Sequence, residues 1–211
     1  NDMLGGHDPY SASKAACEIA ISSWRSSFCG IGKNKVSNLF IGTARAGNVV
    51  GGGDFGLNRL IPDCMIALNK KQLINIRNPK SKRPWQHVLE PLFGYLLLAE
   101  KLYSGDDQYQ DSFNFGPSLQ SNKSVKETVE SIIKHWPGKF LTNNVNNYPH
   151  EAQLLFLNTD KSKNILDWNP KWGFEYTLKI TVDWYKKFFE NQNMAYRYCL
   201  EDLEEYIKTS N

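Results

Sequence analysis

Near the start of the chain a tyrosine and a lysine stand four residues apart, in Tyr10-Ser11-Ala12-Ser13-Lys14. On a helix, positions four apart share one face. A free phenol stays protonated at neutral pH and makes a poor base. An ammonium beside it favours the phenolate. The pair follows Asp8-Pro9, an N-cap residue and a first-turn proline, so it falls where a helix begins. The helix dipole there also favours negative charge. Tyr10 and Lys14 are therefore candidate catalytic residues, a proton-transferring phenol and the cation that activates it. The spacing alone carries little, because about one such pair is expected by chance in a chain with this many tyrosines and lysines. Its place at a helix start is what raises it.

Three further segments carry candidate chemistry. Thr43-Ala44-Arg45-Ala46-Gly47-Asn48-Val49-Val50-Gly51-Gly52-Gly53-Asp54 follows an expected buried strand, and ligands of open α/β sheets bind beyond strand carboxyl ends. Its small residues let a ligand approach the backbone, and Asn48 both donates and accepts. A plain glycine-rich turn is the competing reading, and the run is not the dinucleotide Gly-x-Gly-x-x-Gly pattern. Ile76-Arg77-Asn78-Pro79 and Arg83-Pro84-Trp85-Gln86-His87-Val88 place two arginines six apart beside Trp85. Guanidinium groups grip phosphate in a bidentate way, so a nucleotide diphosphate would suit them. By composition alone, a surface hairpin with a cation–π contact is the favoured reading. Tyr148-Pro149-His150-Glu151-Ala152 holds a lone histidine, of a kind more often used for packing or capping.

Positioning these residues needs alternating helices and strands. Helices are expected from Asp8-Pro9 to Cys29-Gly30, over 60–68, 90–103, 125–136, 160–166, 176–189 and 200–207. Strands are expected at 37–42, 73–76, 85–88, 112–115 and 154–157. Alternation of this kind predicts the α/β class with a parallel sheet. Asp160, Asp167 and the acidic run Glu201-Asp202-Leu203-Glu204-Glu205 read as solvated helix faces.

The composition bounds the function. The chain has 211 residues, 41% of them hydrophobic, enough for a sizeable core. The net charge is +3 and the basic residues are dispersed, so neither nucleic acid nor an anionic membrane is implied. No apolar run approaches the ~20 residues of a membrane span. Cys17, Cys29, Cys64 and Cys199 form no Cys-x-x-Cys pair and have no histidine cluster beside them, so no metal site is expected. Free thiols in a reducing, cytoplasmic setting are expected instead.

In this order the segments resemble one family, the extended short-chain dehydrogenases/reductases, and within it the CDP-glucose 4,6-dehydratases. Gly5-Gly6-His7-Asp8-Pro9-Tyr10 through Lys14 resembles the active-site helix of that family. Residues 44–54 resemble its post-strand substrate loop. Arg83-Pro84-Trp85-Gln86-His87-Val88-Leu89-Glu90-Pro91, Phe113-Asn114-Phe115-Gly116-Pro117 and Pro149-His150-Glu151-Ala152 are similar to the CDP-glucose dehydratases in particular. Asp167-Trp168-Asn169-Pro170-Lys171-Trp172, leading into Thr181-Val182-Asp183-Trp184-Tyr185, matches the usual closing pattern.

The resemblance implies a partial Rossmann fold, a doubly wound parallel sheet interleaved with a small α/β substrate-binding domain. Residues 1–50 and 82–117 would form the distal part of the NAD-binding domain, and residues 51–81 and 118–211 the nucleotide-sugar-binding domain. It also implies NAD as cofactor and conversion of CDP-glucose to CDP-4-keto-6-deoxyglucose and water by oxidation, elimination and reduction. Tyr10 and Lys14 would be catalytic and would contact the NAD. Asn48, Arg59, Arg83, Asn114 and His150 would contact the nucleotide sugar, with Arg83 at the diphosphate. A homo-oligomer, a dimer or tetramer, would be usual.

The family opens with a strand, a Gly-x-x-Gly-x-x-Gly turn and a helix that cradle the pyrophosphate. It also carries polar and acidic dehydration residues upstream of the tyrosine. None is in this sequence, so the chain is expected to be a C-terminal portion with little activity by itself. An epimerase, a dehydratase for another nucleotide sugar, and a non-catalytic nucleotide-sugar-binding domain remain the alternatives.

Overall fold

A computed structural model describes residues 4–6, 8–29, 39–142 and 155–209. In chain order the elements are α1 (Pro9–Phe28), β1 (Thr43–Ala46), β2 (Asn48–Val50), α2 (Leu60–Asn69), β3 (Ile74–Ile76), β4 (Lys82–His87) and α3 (Leu89–Tyr103). They continue with β5 (Ser112–Phe115), β6 (Asn122–Ser124), α4 (Val125–His135), β7 (Phe140–Thr142), α5 (Asp160–Leu166), α6 (Phe174–Glu190) and α7 (Ala195–Lys208). The chain packs as two compact units. The first comprises Asn1–Arg45, Gly94–Asn114 and Asp160–Trp168, and the second Ala46–Phe93, Phe115–Thr159 and Asn169–Asn211. These limits differ from the expected domains for two physical reasons. β4 pairs with β2 and β6, which keeps 82–93 in the second unit. Ser162 Oγ donates to the Asn114 carbonyl at 2.6 Å, and Lys161 Nζ reaches the Asp111 carboxylate, which draws α5 into the first.

The class is α/β, as expected. Among the described residues, however, the strands form three small sheets: β1-β5, β2-β4-β6 and β3-β7. β2 runs parallel to β4 and β3 parallel to β7, whereas β4 and β6 are antiparallel. Gly47 breaks what would be one strand into β1 and β2, and a Cβ there would lie 2.9 Å from Pro84 Cγ. The strand expected at 37–42 is not formed over its described part, 39–42. The Ile41 N–H is taken by the Gln110 side chain at 3.3 Å, and pairing begins only where Thr43 N–H donates to the Asp111 carbonyl at 2.9 Å. Residues 155–157, expected in a strand, are also irregular. There the Leu155 carbonyl accepts from the Asn122 side chain at 3.3 Å instead of from a ladder.

The second unit holds the larger core. Ile61, Cys64, Met65 and Leu68 of α2, Val129 and Ile132 of α4, and Leu178, Val182, Trp184 and Tyr185 of α6 are buried together. These positions recur at helical spacing, the pattern that puts one apolar stripe against a neighbour. α4 begins with a capping box in which Ser124 Oγ accepts from Glu127 N–H and the Glu127 carboxylate accepts from Ser124 N–H. Burial pushes the Cys64 thiol up to about 12, and all four cysteines are free. Among the described residues, no helix is long and apolar enough to cross a membrane and no cluster of three or more His, Cys, Asp or Glu is placed to hold a metal.

A buried carboxylate ties this unit together. Glu90 on α3 is 0% exposed. It accepts from the N–H groups of Lys171 (3.0 Å) and Trp172 (2.7 Å) and from the Tyr206 hydroxyl (2.9 Å). Desolvation raises its pKa, while these donors and the Lys171 charge oppose the rise. Removing the acceptor strands three donors, each costing about 1–3 kcal/mol. Glu90→Ala should therefore lower the urea midpoint of unfolding markedly, and Glu90→Gln by less. An unchanged midpoint in Glu90→Ala would show that the carboxylate anchors nothing.

The acidic run of α7 is not simply solvated. An open groove of about 520 Å³ between α6 and α7 is lined by Lys179, Asp183, Lys187, Glu201 and Asp202. Glu201 pairs with Lys187 at 2.9 Å. Burial lifts Asp202 to about 7, with Glu201 and Asp183 adding to the rise and Lys187 opposing it. Its folded pKa thus lies above its ordinary value of 3.8. The folded state holds the proton more tightly, so this group's contribution to stability falls as pH rises from about 4 to about 7. Asp202→Asn should raise the melting midpoint at pH 8 and leave it nearly unchanged at pH 4. Equal shifts at both pH values would count against a raised Asp202 pKa.

Candidate active site

In the first unit, Asp8 caps α1, its Oδ1 accepting from the N–H groups of Tyr10 (2.9 Å) and Ser11 (3.0 Å). Ser11 Oγ donates to the same carboxylate, and that bond is the main cause of Asp8's lowered pKa. The cap fixes the first turn, so Tyr10 and Lys14 stand one turn apart on one face. Tyr10 is 71% exposed. The Lys14 ammonium lies 5.7 Å from the Tyr10 ring centroid, over the ring. The pair therefore comes together as its spacing predicts, through a cation–π contact. Asn114 belongs to this unit too, on β5 between the fully buried Phe113 and Phe115.

One residue of this face was not singled out from the sequence. Glu18, a further turn along α1, accepts from Arg45 Nε at 2.7 Å, Thr43 Oγ1 at 3.1 Å and Ser112 Oγ at 3.2 Å. The Arg45 hydrogen bond, opposed by desolvation, draws it down to about 2. The signal in the sequence is its place four residues after Lys14. Its partners lie 27, 25 and 94 residues away, beyond local pattern reading.

The second unit holds Asn48, Arg59 and Arg83. Asn48 opens β2 and lies opposite Trp85 on β4. Arg59 is the N-cap residue of α2, 67% exposed at its side chain, and pairs with Asp54 at 3.0 Å. The Asp54 carboxylate also accepts from Gly56 N–H at 2.9 Å, and its carbonyl accepts from the Tyr185 hydroxyl. Arg83 donates to the Lys82 carbonyl at 2.8 Å and lies opposite Lys123 of β6. Arg77 donates to Asn58 at 2.8 Å. The two arginines expected to act together leave from different sheets, Arg77 after β3 and Arg83 on β4. Trp85, expected beside them, is 5% exposed in the core, with its Nε1 donating to the Lys123 carbonyl at 3.2 Å. His150 lies outside the described residues.

The glycine run also proves partly structural. A Cβ on Gly52 would come within 2.0 Å of the Trp184 ring, so the indole fills the space that the missing side chain leaves. Gly53 adopts φ +85°, a conformation that favours glycine. Beside this turn His87 is 1% exposed and packs edge-on against Trp172. Burial lowers it to about 4, so it is neutral at pH 7.

The chain is 39% identical over 196 residues to CDP-glucose 4,6-dehydratase of Salmonella typhimurium (strain LT2), covering 92% of this chain and 54% of that protein. This chain is a homologue of CDP-glucose 4,6-dehydratase. The homologue is also 25% identical over 158 residues to UDP-glucose 4-epimerase 3 of Oryza sativa subsp. japonica, covering 70% of this chain and 41% of that protein. It superimposes on the NAD complex of dTDP-glucose 4,6-dehydratase from Bacillus anthracis with a TM-score of 0.70 at 25% identity, over 90% of this chain and 55% of that one. For dTDP-glucose 4,6-dehydratase of Streptomyces venezuelae, solved with NAD and TYD bound, the TM-score is 0.69 at 17% identity, over 93% and 55%. No family model matches the chain. The homologue thus has the fold of nucleotide-sugar dehydratases and epimerases, and spans about half the length of the dehydratases it matches.

Gly52→Ala in this homologue should displace the Trp184 ring. Overpacking of this kind costs about 1–3 kcal/mol, and a lower melting midpoint with altered tryptophan fluorescence would report it. Unchanged fluorescence and stability would mean that the turn has room to spare.

Proposed function

We propose that this chain is the C-terminal portion of an NAD-dependent CDP-glucose 4,6-dehydratase, which forms CDP-4-keto-6-deoxyglucose and water. The observation that carries the reading is the 39% identity to that enzyme over 92% of the chain, in a chain whose first helix presents Tyr10 and Lys14 together. An exposed phenol and an ammonium on one helix face suit a site that moves a proton beside a ribose. Tyr10 would accept the proton of the sugar's C4 hydroxyl as that carbon becomes the ketone of the product. Lys14 would hold the nicotinamide ribose hydroxyls and favour the phenolate. NAD, when bound, supplies a two-electron acceptor that is regenerated within each turnover. Asn48, Arg59, Arg83, Asn114 and His150 would contact the nucleotide sugar. Arg83 would meet the diphosphate, and Arg59 would be pre-oriented by Asp54.

The test uses the complete protein, including the sequence upstream of Asn1. It is supplied with CDP-glucose, dTDP-glucose, GDP-mannose and UDP-glucose while 4-keto product is followed. Product from CDP-glucose alone is expected. Product from another nucleotide sugar would retain the dehydratase and remove the cytidine. Binding without 4-keto product would favour an epimerase or a binding domain. Tyr10→Phe should lower the rate by about two to four orders of magnitude, as for loss of a positioned acid/base, with nucleotide-sugar binding kept. A wild-type rate in that variant would remove Tyr10 from the chemistry.

A further inference from the structure

We propose that Glu18, held by Arg45, is a positioning residue for the Tyr10–Lys14 pair. The inference rests on the reading of that pair as the proton-transfer site, and it comes from how α1 is attached. Among the described residues, only Ala15 and Arg25 of this helix are buried. Ile19 is 60% exposed, Trp24 56% and Phe28 51%. Polar tethers join α1 to the strands of the first unit. Glu18 binds Arg45 and Thr43, at β1, and Ser112, at the start of β5. Arg25 donates to the Gln110 carbonyl at 3.2 Å. The Glu18 tether lies one turn from Lys14 and two from Tyr10, on their own face.

The tether has a second consequence. Lysine and glutamate four apart on a helix attract one another. A free Glu18 carboxylate would draw the Lys14 ammonium away from the tyrosine. Here both Glu18 oxygens are engaged, one by the Arg45 guanidinium and the other by two hydroxyls. The Glu18 side chain is 16% exposed, and its charge is balanced locally. Lys14 is left over the Tyr10 ring. Arg45 thus acts at a distance from the pair, by occupying the acid that would compete for Lys14.

Two measurements test this, and they fail independently. The first needs no turnover. Lys14 acylation by an amine-reactive ester is followed by mass spectrometry in wild type, Arg45→Ala, Glu18→Ala and the double variant, with circular dichroism to verify folding. Arg45→Ala frees Glu18 to pair with Lys14 and should slow labelling by about twofold, the size of an exposed i,i+4 pair. The double variant should restore the wild-type rate. Equal labelling in wild type and Arg45→Ala, or slower labelling still in the double variant, overturns the inference. The second uses the complete protein. Glu18→Ala should lower kcat by about one to two orders of magnitude, as expected for a misplaced catalytic group, with KM for the nucleotide sugar little changed. Glu18→Gln, which keeps an acceptor for Thr43 and Ser112, should recover part of the loss. A kcat unchanged in Glu18→Ala overturns the positioning role. A complete wild-type protein that makes no product from any nucleotide sugar defeats the functional reading instead, and the labelling result still decides Glu18.

Discussion

A carboxylate removed from water must be answered by donors, and Glu90 is answered by two backbone N–H groups and a phenol. Much of the second unit follows from that requirement. The two N–H groups belong to Lys171 and Trp172, so the segment before α6 is fixed to α3. The phenol belongs to Tyr206, so α7 is fixed to the same point. Trp172 then packs edge-on against His87, Tyr176 and Tyr206. The Lys171 ammonium lies over the Phe93 and Tyr206 rings, 4.5 and 4.7 Å from their centroids. With its start held in this way, α6 brings Trp184 to Gly52 and the Tyr185 hydroxyl to the Asp54 carbonyl. Asp54 in turn holds Arg59. A line of contacts therefore runs from one buried acid to a guanidinium at the mouth of α2.

The first unit solves a similar problem in the opposite way. Glu18 is also an acid that joins a helix to strands, but a cation meets it. Its pKa falls to about 2, whereas that of Glu90 rises. The difference is one of partners. A hydrogen-bonded guanidinium favours the charged form directly, while at Glu90 the neutral donors and the Lys171 charge only offset the cost of burial. Glu90 holds elements that are already packed around a large apolar core. Glu18 joins α1 to β1 and to the start of β5 through an ion pair and two hydroxyl hydrogen bonds.

Much of the local structure was legible in the chain. Asp8 and Pro9 mark the start of α1 because capping and the fixed φ of proline act within a few residues. The alternation in Ser112-Phe113-Asn114-Phe115 marks β5, and the limits of α5 coincide with those expected. Tyr10 and Lys14 share a face because helix periodicity alone places them so. Over its described part, 39–42, the strand expected at 37–42 is not formed, for a reason no local pattern carries, since the Gln110 side chain takes the Ile41 amide that a neighbouring strand would need. The short strands β1, β2, β6 and β7 were missed because each is fixed by a partner distant in the chain.

The sequence by itself determined the α/β class, the helix that presents Tyr10 and Lys14, and the likeness to nucleotide-sugar dehydratases, because these rest on local propensity and on residue identity. Only the tertiary structure decided that Trp85 belongs to the core, that Gly52 makes room for an indole, and that Arg77 and Arg83 leave from different sheets. It also decided that Asp202 is a half-buried acid with a raised pKa and that Glu18 is held by Arg45. Each of these depends on residues far apart in the chain, whose burial and charge are set only when the elements pack.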